Sequence, residues 1–124
     1  MQLASIRLVT EQFEAILAFY KNLSGIDPVR LADGFAEVRF DGAVLAISAQ
    51  QLVARFNAGA AIAAANRSAI LEFEVADVPA VQDRLQHDKV DIVMPTTLMP
   101  WGNMSLLIRD PDGNLVNIFS KPAG

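Results

Sequence analysis

Glu72-Phe73-Glu74-Val75-Ala76-Asp77-Val78-Pro79-Ala80-Val81 changes its hydrophobic period in mid-course. From Ala69 to Val75 the apolar residues alternate through Leu71, Phe73 and Val75, the period of an extended strand with one covered face. From Val78 to Asp88 the period lengthens, and Val78, Val81 and Leu85 fall on one helical stripe. Asp77 is placed to accept from the first free helical N–H groups, and Pro79 sits in the first turn, where a missing N–H costs nothing. A strand therefore passes into a helix almost without a loop.

The same change of period occurs about 65 residues earlier, which reads as an internal repeat. Leu3 to Val9 alternates around Ile6 and Leu8, and Glu11 to Leu23 carries a helical stripe in which Phe13, Ile16 and Tyr20 answer to Val78, Val81 and Leu85. Gly25 follows as a C-terminal cap, and Pro28 excludes a longer helix. Three short strands follow each helix. In the first copy they are 29–31, 35–40 and 43–48, separated by Asp33-Gly34 and Asp41-Gly42 turns. In the second copy they are 92–94, 104–109 and 115–120, with a loop over 96–102 and a turn over 110–114. Between the copies, 49–67 is alanine-rich and broken at Gly59, a connector with partial helix. The expectation is one α+β domain over 1–124: module one at 1–48, the connector at 49–67, and module two at 68–124.

A chain of 124 residues with 52 % hydrophobic content can bury a core without staples. The absence of cysteine excludes thiol catalysis, thiolate metal sites and disulfides. The net charge is −4 and no basic stripe is present, so neither nucleic acid nor an anionic membrane is an expected partner. The N-terminus carries no basic segment followed by a long apolar run, so a cytoplasmic location is expected.

Three segments carry a family resemblance. Ala18-Phe19-Tyr20-Lys21-Asn22-Leu23-Ser24-Gly25 resembles the end of the first helix in the glyoxalase / bleomycin-resistance / extradiol-dioxygenase (vicinal oxygen chelate) superfamily. Glu72 to Val78 resembles its fifth strand and the exit into the second helix, and Asp110-Pro111-Asp112-Gly113-Asn114-Leu115-Val116, with Pro100-Trp101-Gly102 upstream, resembles the hairpin before the last strand. The resemblance spans essentially the whole chain. It implies two βαβββ modules whose curled mixed sheet forms a concave cavity, with the helices outside, and it implies a homodimer.

Metal-dependent members carry four ligands, mostly His and Glu, on the first, fourth, fifth and eighth strands. The matching positions here are Ser5, Ala46, Ile70 and Asn117, which lack the charge and imidazole a catalytic divalent ion requires. A slip of two residues brings in Arg7 or Leu3, Val44 or Ser48, Glu72, and Leu115 or Phe119, which is no better. The only histidine, His87, lies near the end of the second helix, so a two-histidine iron site cannot form in one chain. No metal and no other cofactor is expected. No nucleophile–base set is visible either, and Asp110 and Asp112 read as turn residues.

Strand alternation sorts the faces. Ile6, Leu8, Ala36, Val38, Phe40, Leu45, Ile47, Leu71, Phe73 and Val75 are expected under the helices. The opposite faces carry Arg7, Phe35, Glu37, Arg39, Glu72, Glu74 and Asn117, either as a ligand-binding lining or as ion pairs on a wet sheet. Trp101 either stacks a flat ligand or closes the end of the barrel or a subunit contact. The ligand-binding set is therefore Arg7, Phe35, Glu37, Arg39, Glu72, Trp101 and Asn117. The resulting expectation is a metal-independent binder of an unknown polar or cationic small molecule, with no catalytic residue recognisable. The alternatives are a metal-dependent lyase or isomerase with displaced ligands, and a non-catalytic dimeric interaction domain.

Overall fold

The computed structural model describes residues 1–122; the last two positions of the second module's expected range, 123–124, lie outside the described residues. The chain divides into two compact units, the first ending at Ala65 and the second beginning at Asn66. The first runs β1 (Ile6–Thr10), α1 (Phe13–Ser24), β2 (Val29–Ala32), β3 (Phe35–Phe40), β4 (Ala43–Ala49) and α2 (Gln50–Phe56). The second runs β5 (Ile70–Glu74), α3 (Val78–Gln86), β6 (Asp91–Leu98), β7 (Met104–Arg109) and β8 (Leu115–Ser120). Strand, helix and three strands thus occur twice. The two sheets have the same plan, β1-β4-β3-β2 and β5-β8-β7-β6. In each, the first strand runs parallel to the fourth and the other pairs are antiparallel, which makes two mixed sheets of an α+β fold.

The repeat extends to the register. Ile6 pairs with Leu45 and Arg7 with Ala46 in the first sheet, as Leu71 pairs with Val116 and Glu72 with Asn117 in the second. The helices follow from local chemistry. Gly25 adopts the left-handed conformation, φ 74°, and its N–H donates to the Lys21 carbonyl, closing α1. Asp77 accepts from the Ala80 N–H at 3.1 Å and opens α3 with Pro79 in the first turn. Ile16, Leu17, Tyr20 and Leu23 of α1 are buried in the first unit with Leu45 and Ile47. Val78 and Leu85 of α3 are buried in the second with Val116 and Ile118. No helix among the described residues is long and apolar enough to cross a membrane.

Several local expectations are corrected. Strand β6 continues to Leu98, where a loop was expected from Thr96. Pro95 is tolerated because β6 is the edge of its sheet and its register with β7 shifts between Met94 and Thr97. Gln82 of α3 supports the irregularity, its Oε1 accepting from both the N–H and the hydroxyl of Thr96, at 2.7 and 2.6 Å. Strand β1 begins at Ile6, not Leu3, and Ile6 is half exposed at the start of an edge strand instead of buried. Phe40, Phe73 and Val75 are partly rather than fully covered.

Candidate functional site

In the first sheet, one cross-strand row reads Arg7, Ala46, Glu37 and Val29 from β1 to β2. The row beside it reads Val9, Ser48 and Phe35. Arg39, opposite Val44, lies on the same face as Glu37 two residues before it. Its Nε and Nη2 both donate to Glu37 Oε1, at 3.0 and 2.9 Å. Arg7 takes no part in that pair: its Nη2 donates to Asn57 Oδ1 at 3.0 Å, and Asn57 is the residue that ends α2. Phe35 is half-buried.

In the second sheet, the equivalent row reads Glu72, Asn117 and Leu107. Asn117 Nδ2 donates to Glu72 Oε2 at 2.9 Å. This fixes the orientation of the amide, because the reverse would set a carbonyl oxygen against a carboxylate. Asn117 Oδ1 is left buried with no hydrogen-bond partner among the described residues. Glu74, in the next row opposite Phe119, pairs with Lys121 at 3.6 Å, both side chains being exposed. The second face is thus acidic and rich in acceptors, whereas the first carries two guanidinium groups against one carboxylate.

Trp101 lies in the loop between β6 and β7. Met99 N–H donates to the Asn103 carbonyl and Gly102 N–H to the Met99 carbonyl, a tight turn that leaves the indole two-thirds exposed. A Cβ at Gly102, φ +97°, would meet Pro122 at 2.8 Å, so the turn packs against the segment after β8.

The structure thus brings together Glu37 with Arg39 and Glu72 with Asn117. Arg7 shares a row with Glu37 but bonds elsewhere, and Trp101 lies on the loop before β7. Asn57 was not anticipated. It lies in the alanine-rich connector, and its only signal is an amide side chain just after a short apolar run, where helices end.

The residues at the family's metal positions do not fit a divalent cation. Ser5 is exposed ahead of β1, Ala46 and Ile70 carry no ligating side-chain atom, and Asn117 offers a single uncharged oxygen. Among the described residues no three His, Cys, Asp or Glu side chains group as a metal would require.

A separate open cleft of about 580 Å³ lies elsewhere in the first unit, between the start of α1, β2 and the start of α2. Its wall includes Arg30, which grips both oxygens of Glu14 at 2.8 and 2.6 Å and stands 5.8 Å from the centre of the Phe13 ring. The hydrogen bond from Arg30, reinforced by its charge, holds the Glu14 carboxyl below the usual carboxylate value, and Glu14 raises Arg30 in return.

The sequence model of the Glyoxalase/Bleomycin resistance protein/Dioxygenase superfamily matches residues 2–118. No curated protein matches the chain. Among solved structures, a glyoxalase-related enzyme from Fulvimarina pelagi is 26 % identical, with a TM-score of 0.83 over 100 % of this chain and 93 % of that one. A glyoxalase/bleomycin resistance protein/dioxygenase from Nocardioides is 22 % identical, with a TM-score of 0.81 over 100 % of this chain and 85 % of that one. A family enzyme from Burkholderia phytofirmans is 14 % identical, with a TM-score of 0.82 over 97 % and 98 % of the two chains. The last two likenesses, at such low identity, speak for the fold alone.

Proposed function

The chain belongs to the Glyoxalase/Bleomycin resistance protein/Dioxygenase superfamily, and on that premise we propose that it binds polar small molecules at charged side chains of its sheets without a metal ion. The observation that carries this reading is the hydrogen bond between Asn117 and Glu72. Asn117 occupies the eighth-strand position where metal-dependent relatives are expected to place a charged ligand, and a neutral amide stands there instead, its NH2 turned to the neighbouring carboxylate. Glu72 and Glu74 are the groups proposed to receive a cationic part of the ligand, since charge complementarity selects ligands even where it adds little affinity. In the first unit Phe35 offers an aromatic contact beside the Glu37–Arg39 pair, and in the second unit Trp101 offers another. The proposed working form is a cytoplasmic homodimer, two-fold dimers being the commonest closed assembly.

Elemental analysis of protein purified without chelator, joined to native mass spectrometry of what co-purifies, tests the reading. The expected result is sub-stoichiometric metal and a bound organic molecule that survives EDTA. Near-stoichiometric Ni, Zn, Mn or Fe would replace the binder with a metal-dependent lyase or isomerase. A persistent dimer with no thermal shift across a broad small-molecule library would favour an interaction domain.

A further inference from the structure

Arg7 is exposed, yet it makes no ion pair among the described residues. Its cross-strand neighbour Ala46 carries no polar side-chain atom, and the next residue in the row, Glu37, is taken by Arg39. The guanidinium is nevertheless held, by the side-chain oxygen of Asn57 at 3.0 Å. Asn57 is itself fixed, because its N–H donates to the Val53 carbonyl as α2 ends and the Val53 side chain is buried. A carboxylate in place of that amide would orient Arg7 and also neutralise it. The amide orients it and leaves its charge, and most of its N–H donors, unspent. An arginine serving only solubility gains nothing from being ordered in this way, since ordering costs side-chain entropy.

We propose that Arg7, positioned by Asn57, seats a carboxylate of the ligand on the face of the first sheet. The planar fork of a guanidinium matches the two oxygens of a carboxylate. One arginine suits a monoanion, and the neighbouring Arg39 is already engaged by Glu37. The inference rests on the small-molecule reading above and adds to it an acidic group for the ligand to carry.

The test is a titration with sodium benzoate, followed through the side-chain Nε–H resonances of the arginines. Saturable movement of the Arg7 resonance is expected. Arg7→Lys keeps the charge and loses the fork, so it is expected to weaken benzoate binding roughly tenfold. Asn57→Ala keeps the arginine and frees it, and is expected to weaken binding several-fold with the thermal midpoint checked alongside. An Arg7 resonance that benzoate does not move, or an Arg7→Lys protein that binds benzoate as tightly as the wild type, would overturn the proposal. Benzamidine, a cation built on the same ring, separates the two levels of the argument. If benzoate fails while benzamidine still binds in a manner sensitive to Glu72→Gln, the carboxylate seat alone is wrong; if neither binds, the small-molecule reading falls with it.

Discussion

Asn117 and Glu72 sit directly opposite each other on β8 and β5 and share a hydrogen bond of 2.9 Å, in the same place in the repeat where Ala46 faces Arg7. One register position therefore carries a carboxylate bonded to an amide in one unit and a guanidinium facing an alanine in the other. The duplicated fold has kept its geometry while its surface chemistry has diverged.

Asn117→Asp puts two carboxylates where an amide and a carboxylate now bond. At neutral pH the variant is expected to lose about 1 kcal/mol through like-charge repulsion across the strand pair. The loss shrinks in acid, where one carboxylate of the variant carries a proton. Urea unfolding of both proteins at acid and neutral pH measures this, and an unchanged difference would contradict the pairing.

The exposed Glu14–Arg30 pair gives a second pH dependence, this one from an attraction in the wild type. Because the folded protein lowers the Glu14 carboxyl below its ordinary 4.5, the pair contributes above that value, and its contribution disappears as pH falls through the folded value. The stability difference between wild type and Glu14→Gln should accordingly close in acid and shrink in high salt. Denaturation midpoints across pH and ionic strength report it.

Asp110 organises the β7–β8 turn. Its Oδ1 accepts from the N–H groups of Asp112 and Asn114, at 3.0 and 2.9 Å, and its Oδ2 from Asn114 Nδ2 at 2.7 Å. Asn114 Oδ1 in turn accepts from Asn66, just ahead of β5. Asp110→Ala strands buried donors and is expected to cost about 2–3 kcal/mol, against about 1 kcal/mol for Asn66→Ala. Chemical denaturation of the two variants gives the ranking directly.

Gly34 and Gly42 both stand in hairpin turns at positive φ, +78° and +79°. A Cβ at Gly42 meets nothing within 4 Å, whereas one at Gly34 would lie 2.9 Å from the Ala49 Cβ. Gly42→Ala is expected to cost about 1 kcal/mol from backbone conformation alone. Gly34→Ala adds a steric overlap and is expected to reach about 2–3 kcal/mol. Thermal or urea unfolding separates them; equal costs would show that the Gly34 turn gives way.

The elements legible in the sequence were those fixed by short-range chemistry. Gly25, Asp77, Pro79 and the two Asp-Gly turns act within a few residues of themselves, and all of them lie where the pattern put them. The faces of β8 followed from alternation for the same reason, whereas β4 is buried on both sides from Leu45 to Ser48. Contacts between polar side chains far apart in the chain were not legible. Arg7 could as well have met Glu37, and nothing local announces that Asn57, fifty residues on, receives it instead. The extension of β6 through Pro95 also escaped, because proline normally ends a strand and only an edge position with a shifted register accepts it.

That proline has a further effect. Val93 and Leu98 are large apolar residues in contact with water along the outer strand β6, the kind of stretch on which a foreign chain can zip itself into a growing fibril. Pro95 offers no N–H at the middle of the stretch, and the shifted register breaks the straight run that a second strand would need. The outermost strand thereby guards against its own stickiness.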